Sequence, residues 1–345
     1  MVRKVRKKSA EKLLKNIEEL RKKDINLIAV SNKEWYSLFR DEIRNSIAIE
    51  GIIASRKDLL DVLERNKKTN DQKTSAILGY YEAASTVYEY AKSLFEEGEF
   101  SLRLSDLRQI HTLLMRYEKQ TGSFSGKLGA YRIEDVKVLN SHFTPLKHSY
   151  LSDFMEAYIK WLNESIKKNK YGPVTLAALS HILFETVHPF RDGNGRVGRI
   201  LLGFILIGLG FTNIAIKGTG KDEREKYYSA MEDGYDKFEK MLRQYERAGK
   251  INPAQIDRYA ESSDVSDLEN IILDCLNDNI IRLKKNLTRE DGKELVVPLR
   301  EASVIYGYSQ DYLRNLINRK KIDAIKRGKL WYVKIQEIEK YISQS

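Results

Sequence analysis

His188-Pro189-Phe190-Arg191-Asp192-Gly193-Asn194-Gly195-Arg196-Val197-Gly198-Arg199 lies between two apolar helical runs, one through Leu176, Leu179, Ile182 and Leu183 and one from Ile200 to Leu209. Two helices therefore flank a polar loop. Gly193 and Gly195 allow consecutive backbone N–H groups to point inward as an anion-binding nest at a helix N-terminus. Arg196 and Arg199 stand three apart, so on the first turn of the second helix they project from one face towards the same anion. Asp192 offers a hard oxygen suited to a magnesium ion that shares phosphate oxygens. His188 supplies a base whose ordinary pKa lies near neutrality. The competing description is a polar loop with capping residues and a satisfied histidine, but it requires all these groups to coincide by accident. His181 sits seven residues before His188 and lacks the i, i+4 spacing of a zinc pair.

Outward from this stretch, 345 residues suggest two domains at about 150 residues each. With 42% apolar and 32% charged residues and five prolines, the composition is that of a folded chain. The net charge of +11 favours acidic partners such as phosphates without saying which. Cys275 is the single cysteine and cannot make an internal disulfide; its apolar helical setting beside Leu268, Ile271 and Ile272 reads as core in a reducing compartment. The basic N-terminus leads into charged helix without an apolar signal region. The longest apolar run, Ile200 to Phe211, has twelve residues and three glycines, too short for a bilayer. The expectation is a cytoplasmic protein with no membrane partner.

Four segments follow from the patterning. Residues 1–58 hold a basic amphipathic helix around Leu13, Leu14, Ile17 and Leu20, then a helix opened by a Ser31/Glu34 capping box that runs through Trp35, Leu38, Phe39 and Ile43 to about Gly51. Residues 59–250 alternate long helices with short breaks, Ser105 being the expected N-cap of one. The strand signal there is confined to Tyr131–Leu139, which reads as a short hairpin or flap. Residues 251–290 are a helical connector begun by a Ser266/Glu269 capping box. Residues 291–345 read as strand, helix Leu299 to Tyr306, helix Ser309 to Arg319 and a hairpin across Arg327-Gly328-Lys329, a helix-turn-helix with a wing.

The opening stretch resembles the Fic family, whose core motif is His-x-Phe-x-(Asp or Glu)-Gly-Asn-Gly-Arg-x-x-Arg, and every fixed position is matched. Ile110-His111, Gly129-x-x-Arg132, Val136 and Val138, Pro145 and Tyr227-Tyr228 extend the likeness across most of 59–250. The resemblance implies an all-α bundle with a small β-hairpin flap. It implies transfer of AMP from ATP, with Mg2+, to a Ser, Thr or Tyr hydroxyl of a target protein. By position, His188 is then the general base, Asp192 the magnesium ligand, Gly193, Asn194 and Gly195 the phosphate cradle, and Arg196 and Arg199 the phosphate contacts. Phe190 is a core anchor, and Val136, Lys137 and Val138 pair with the target as an added strand. His111, His142 and His148 read as structural.

Many proteins resembling this family hold a helix with Ser/Thr-x-x-x-Glu-(Gly/Asn) against the site. Ser46-Ile-Ala-Ile-Glu50-Gly51 fits, which implies that Glu50 pairs with Arg199 and restrains the enzyme. Ser93-Leu-Phe-Glu-Glu97-Gly98 fits the spacing equally, and an ordinary helix-end acid is the plain alternative for Glu50; context upstream of the core favours Glu50. The end of the chain resembles small winged helix-turn-helix domains of the excisionase or MerR-like kind. There Gln310, Arg314 and Asn318 would face DNA bases, with Lys326, Arg327 and Lys329 near phosphates, although such modules also dock proteins. The rival class is therefore a DNA-bound regulator with an inactive or regulatory Fic region. Another nucleotide or phospho-donor, and a homo-oligomer, stay open.

Overall fold

A computed structural model describes residues 2–22, 28, 33–65, 69–138, 143–290, 296–328 and 330–344. The helices preceding the end module are α1 (Val2–Lys22), α2 (Lys33–Ile49), α3 (Arg56–Leu63), α4 (Gln72–Glu97), α5 (Leu104–Gln120), α6 (Leu151–Lys167), α7 (Pro173–Val187), α8 (Asn194–Gly208), α9 (Lys221–Ala248), α10 (Pro253–Ser262) and α11 (Ser266–Glu290). A single buried cluster runs through them from Leu13 to Leu283. The chain ends in β1 (Val296–Pro298), α12 (Leu299–Tyr306), α13 (Gln310–Asn318), β2 (Ala324–Arg327), β3 (Leu330–Lys334) and α14 (Ile335–Gln344). These elements enclose their own core around Val297, Ala302, Leu313, Leu316 and Val333. Its antiparallel sheet has the order β1-β3-β2, with Val297 opposite Val333 and Lys326 opposite Trp331. The fold is all-α apart from this small sheet.

α7 and α8 form the hairpin that carries the motif. Pro173 opens α7 at a first-turn position where its missing N–H costs nothing. Nearly every side chain of α7 and α8 is buried, so the loop between them is held by packing on both sides. α4 lies against α8 and α5, and its approach to α5 needs Gly79, where a Cβ would meet the Leu114 carbonyl oxygen at 2.0 Å.

Local signals misplaced several boundaries. Ser105 lies inside the first turn of α5, because Asp106 accepts from the Arg103 N–H at 2.8 Å and sets the cap two residues earlier, at Arg103. At α11 the expected Ser266/Glu269 capping box is not formed: Asp264 accepts from the Ser266 N–H at 3.0 Å, while Glu269 accepts from the Thr175 hydroxyl. Ser31 lies outside the described residues, as do Leu139 and His142. The hairpin expected at Tyr131–Leu139 is not formed among the described residues: 131–138 runs without strand pairing. Side chains hold it instead. Arg132 is buried and reaches back to carbonyls of the core, and Asp135 accepts from the His148 N–H at 2.8 Å. Cys275 is half-buried against the main core, its Sγ 3.5 Å from the Ala215 carbonyl.

α2 is pinned by buried polar bonds. Glu42 accepts from the hydroxyls of Tyr80 at 2.8 Å and Tyr88 at 2.5 Å and from the Asn213 amide at 2.6 Å. Asn213 in turn accepts from the Trp35 indole at 2.8 Å, and Asn45 accepts from the Gly218 N–H at 3.0 Å. Burial pushes the Glu42 carboxyl up to about 7 against the pull of its three donors. Replacing Glu42→Ala leaves those donors unpartnered in the core, and urea unfolding should show a loss of about 3 kcal/mol. A loss below about 1 kcal/mol would mean that the donors find other acceptors.

Candidate active site

The loop after α7 is built by its own side chains. Val187 ends the helix and His188 takes a left-handed conformation, φ 53°, which costs an L-residue on the order of 1 kcal/mol and is tolerated where the surroundings over-determine it. The determinant is Arg132. Its Nε donates to the His188 carbonyl at 2.8 Å, its Nη1 to the Glu134 carbonyl at 2.9 Å and its Nη2 to the Leu146 carbonyl, while Pro189 accepts its backbone N–H at 3.0 Å. One guanidinium thus caps the carbonyl end of α7 and ties the 131–138 segment to it.

The His188 imidazole has Nδ1 3.3 Å from the Glu185 carbonyl. In the neutral ring that contact places the proton on Nδ1 and leaves the Nε2 lone pair free of it. Burial lowers the His188 pKa to about 4, so the ring is neutral at physiological pH. His111 behaves similarly: its Nδ1 accepts from the Gly129 N–H at 2.9 Å, so its proton lies on Nε2, 3.3 Å from the Asp192 carbonyl. Its ring stacks on Phe190 at 4.1 Å, and Phe190 is fully buried. This agrees with a structural His111 and an anchoring Phe190. His148 sits on Asp135 with Nδ1 at 2.9 Å, away from the loop.

Asp192 is exposed, with one oxygen accepting from the Gly193 N–H at 2.5 Å. Gly193 is left-handed at φ 78° and begins α8. The N–H groups of Asn194, Gly195 and Arg196 belong to the first turn, which lacks intrahelical acceptors. The Asn194 side chain does not join this cradle: its amide donates to the Phe190 carbonyl at 2.8 Å and its oxygen accepts from the Phe190 N–H at 2.8 Å, bracing the loop.

The two arginines do not converge as their spacing suggested. Arg196 turns into the core and pairs with Glu118 of α5, an acid without any local sequence signal. The buried guanidinium needs a counter-charge at once, and Glu118, itself buried, supplies it. Arg199 alone faces the nest. Its Nη2 donates to Glu50 Oε1 at 2.6 Å and to the Ser46 carbonyl at 2.9 Å, and its Nε donates to the Ser46 hydroxyl at 2.7 Å.

α2 ends so that this contact forms. Gly51 has φ 82°, and the Ile52 N–H returns to the Ile47 carbonyl at 3.0 Å, closing the helix and placing Glu50 at its tip. Tyr228 donates to the Ile49 carbonyl at 3.0 Å, and Arg199 caps Ser46, so two orphan carbonyls of α2 are satisfied from the core. The Glu50 carboxylate lies directly over α8, where a Cβ on Gly195 would come within 2.3 Å of Oε1. Burial alone would raise the Glu50 pKa, but Arg199 and Arg196 outweigh it and hold the carboxyl below its ordinary value. The rival Glu97 accepts from Ser93 at 2.9 Å on the exposed surface, far from this loop.

Beneath Arg199 lies a buried set, of which Glu185 alone had no signal in the sequence. His181 meets the Tyr227 hydroxyl at 2.7 Å, and Glu185 Oε1 has no hydrogen-bond partner. Burial pushes the Glu185 carboxyl up to about 8, so it is largely protonated at neutrality. Among the described residues, no three metal-ligating side chains cluster. A magnesium ion that takes most of its ligands from phosphate and water fits the single exposed carboxylate of Asp192.

Residues 101–206 match the Fic/DOC family and residues 299–345 a helix-turn-helix domain. It is 27% identical over 304 residues to "Probable protein adenylyltransferase" of Aquifex aeolicus, covering 88% of this chain and 87% of that one. It is 27% identical over 139 residues to protein adenylyltransferase fic-1 of Caenorhabditis elegans, spanning 40% of this chain and a quarter (25%) of that relative. A Fic domain containing signaling protein from Bacteroides thetaiotaomicron shares the fold at a TM-score of 0.59 and 20% identity, over 83% of this chain and 97% of that one. Caenorhabditis elegans Fic-1 does so at 0.56 and 18%, over 81% and 73%.

The buried setting of His188 is open to an NMR titration, with His188→Gln assigning the resonance. The midpoint should fall near 4. A midpoint near the ordinary 6.5 would place the ring in bulk solvent.

Proposed function

We propose that this chain is a protein adenylyltransferase that moves AMP from ATP to a hydroxyl side chain of a target protein, and that Glu50 restrains it. The observation that carries the restraint is a carboxylate seated on Arg199 above the first turn of α8. His188 Nε2 takes the proton of the target hydroxyl, whose oxygen attacks the α-phosphorus, and the bond to the β-phosphate oxygen breaks to release pyrophosphate. The first-turn N–H groups of α8 hold phosphate oxygens, and Arg199 holds the terminal phosphate. Magnesium, held by Asp192, would neutralise phosphate charge. Arg196 acts through Glu118 to fix α8 rather than by touching phosphate.

With Glu50 on Arg199, the terminal phosphate lacks its arginine and ATP settles out of line for attack. Ile133, 86% exposed within the 131–138 segment, gives an incoming target an apolar anchor, and the segment lies where a target strand would run. The relatives named as adenylyltransferases support ATP as donor. The end module supports DNA as a further partner, because Gln310, Arg314 and Asn318 share one exposed face of α13 and Lys326 stands over Trp331 at 5.6 Å. Lys329 and the Arg327 side chain lie outside the described residues.

In an assay with labelled ATP, Glu50→Gly should raise self- or target-labelling at least about tenfold, the scale of one charge-assisted contact. His188→Ala in that background should abolish it. Equal rates for Glu50→Gly and wild type would refute the restraint, and labelling that survives His188→Ala would refute the base.

A further inference from the structure

α2 carries a second set of charges about two to three turns before Glu50. Arg40, Asp41 and Arg44 face α3, α11 and the end module across a cavity of about 200 Å³, which Arg56, Arg282 and Gly307 complete. Among the described residues, four arginines share this space with one lining carboxylate. Asp41 serves two of them, at 2.8 Å from Arg282 and 3.8 Å from Arg56. Arg40 pairs outward with Glu64 at 2.5 Å. Arg44 has a buried Nε with no hydrogen-bond partner. Guanidiniums this close repel unless an anion joins them, and their planar donors match phosphate oxygens.

We infer that this cavity is a binding site for a small phosphate anion, and that its occupancy holds α2 docked. The inference deepens the restraint proposed above and rests on it only for its consequence, since the binding itself is independent of catalysis. The anion would bridge Arg44 of α2, Arg56 at the start of α3 and Arg282 of α11. Undocking α2 would break that bridge, so by linkage the anion binds better to the docked state and stabilises it. The Gly307 turn of α12 forms one wall, with the Arg56 guanidinium 3.2 Å from where its Cβ would stand, so the end module also borders the site. The cavity suits an inorganic phosphate or the terminal phosphates of a nucleotide; a DNA backbone would have to enter between packed helices.

Calorimetry with inorganic phosphate and with pyrophosphate, on the full chain at constant ionic strength, tests the site. The Arg44→Gln/Arg56→Gln variant leaves the loop after His188 intact, and in it one binding component should weaken by at least about tenfold. Arg56→Gln alone, at a largely exposed side chain, covers the case in which the double variant misfolds and should weaken that component in the same direction. Hydrogen exchange of α2 amides gives a readout separate from activity: phosphate should slow it in the wild type and not in the variants. Unchanged isotherms in both variants, or α2 exchange that ignores phosphate in the wild type, would overturn the inference. A variant that loses only retention of duplex DNA would overturn it too, assigning the arginines to a nucleic-acid backbone.

Discussion

The buried guanidinium of Arg199 organises the centre of this molecule. Only 5% of its side chain is exposed, so a positive charge is held inside a helical bundle and requires a partner in every state. In the structure described here the partner is the tip of α2: a carboxylate, a hydroxyl and a helix-end carbonyl. The same three contacts satisfy the end of α2 and the arginine together. A third of the Glu50 side chain (34%) stays exposed, so the partner that can leave faces the opening. Exchange of that carboxylate for a phosphate preserves the charge balance, which is why the resting contact and the proposed productive one are alternatives.

The surroundings are built to hold this alternative open. Glu185 and His181 lie under Arg199, and burial keeps the first largely protonated and lowers the pKa of the second to about 3. With Glu185 largely protonated, the charge of Arg199 is met by Glu50. Arg196 is committed elsewhere, to Glu118. The left-handed backbone of His188 and the clamp of Arg132 on the end of α7 fix the imidazole without borrowing any group from the nest.

Much of this was legible in the chain because it is local. The twelve residues from His188 to Arg199 lie in one helical hairpin, and their order sets the left-handed His188, the first turn of α8 and the place of Arg199. The Ser46-to-Glu50 spacing also survived, since a helix places those two residues on one side and Gly51 ends it. What failed was set by distant partners. Helical periodicity put Arg196 and Arg199 on one face, but Glu118, 78 residues away, draws Arg196 inward. The amide of Asn194 was legible as part of a loop, not as its brace. The 131–138 segment alternates like a strand, yet Arg132 and Asp135 bind it to loop and core.

A crystal structure of the Glu50→Gly chain with ATP would test the central claim most directly. The account expects the Arg199 guanidinium to bind the terminal phosphate from the side that Glu50 now occupies, with room between the α-phosphorus and His188 Nε2 for an attacking hydroxyl in line with the leaving pyrophosphate oxygen. Arg199 remaining on Ser46 while the phosphates lie elsewhere would contradict it.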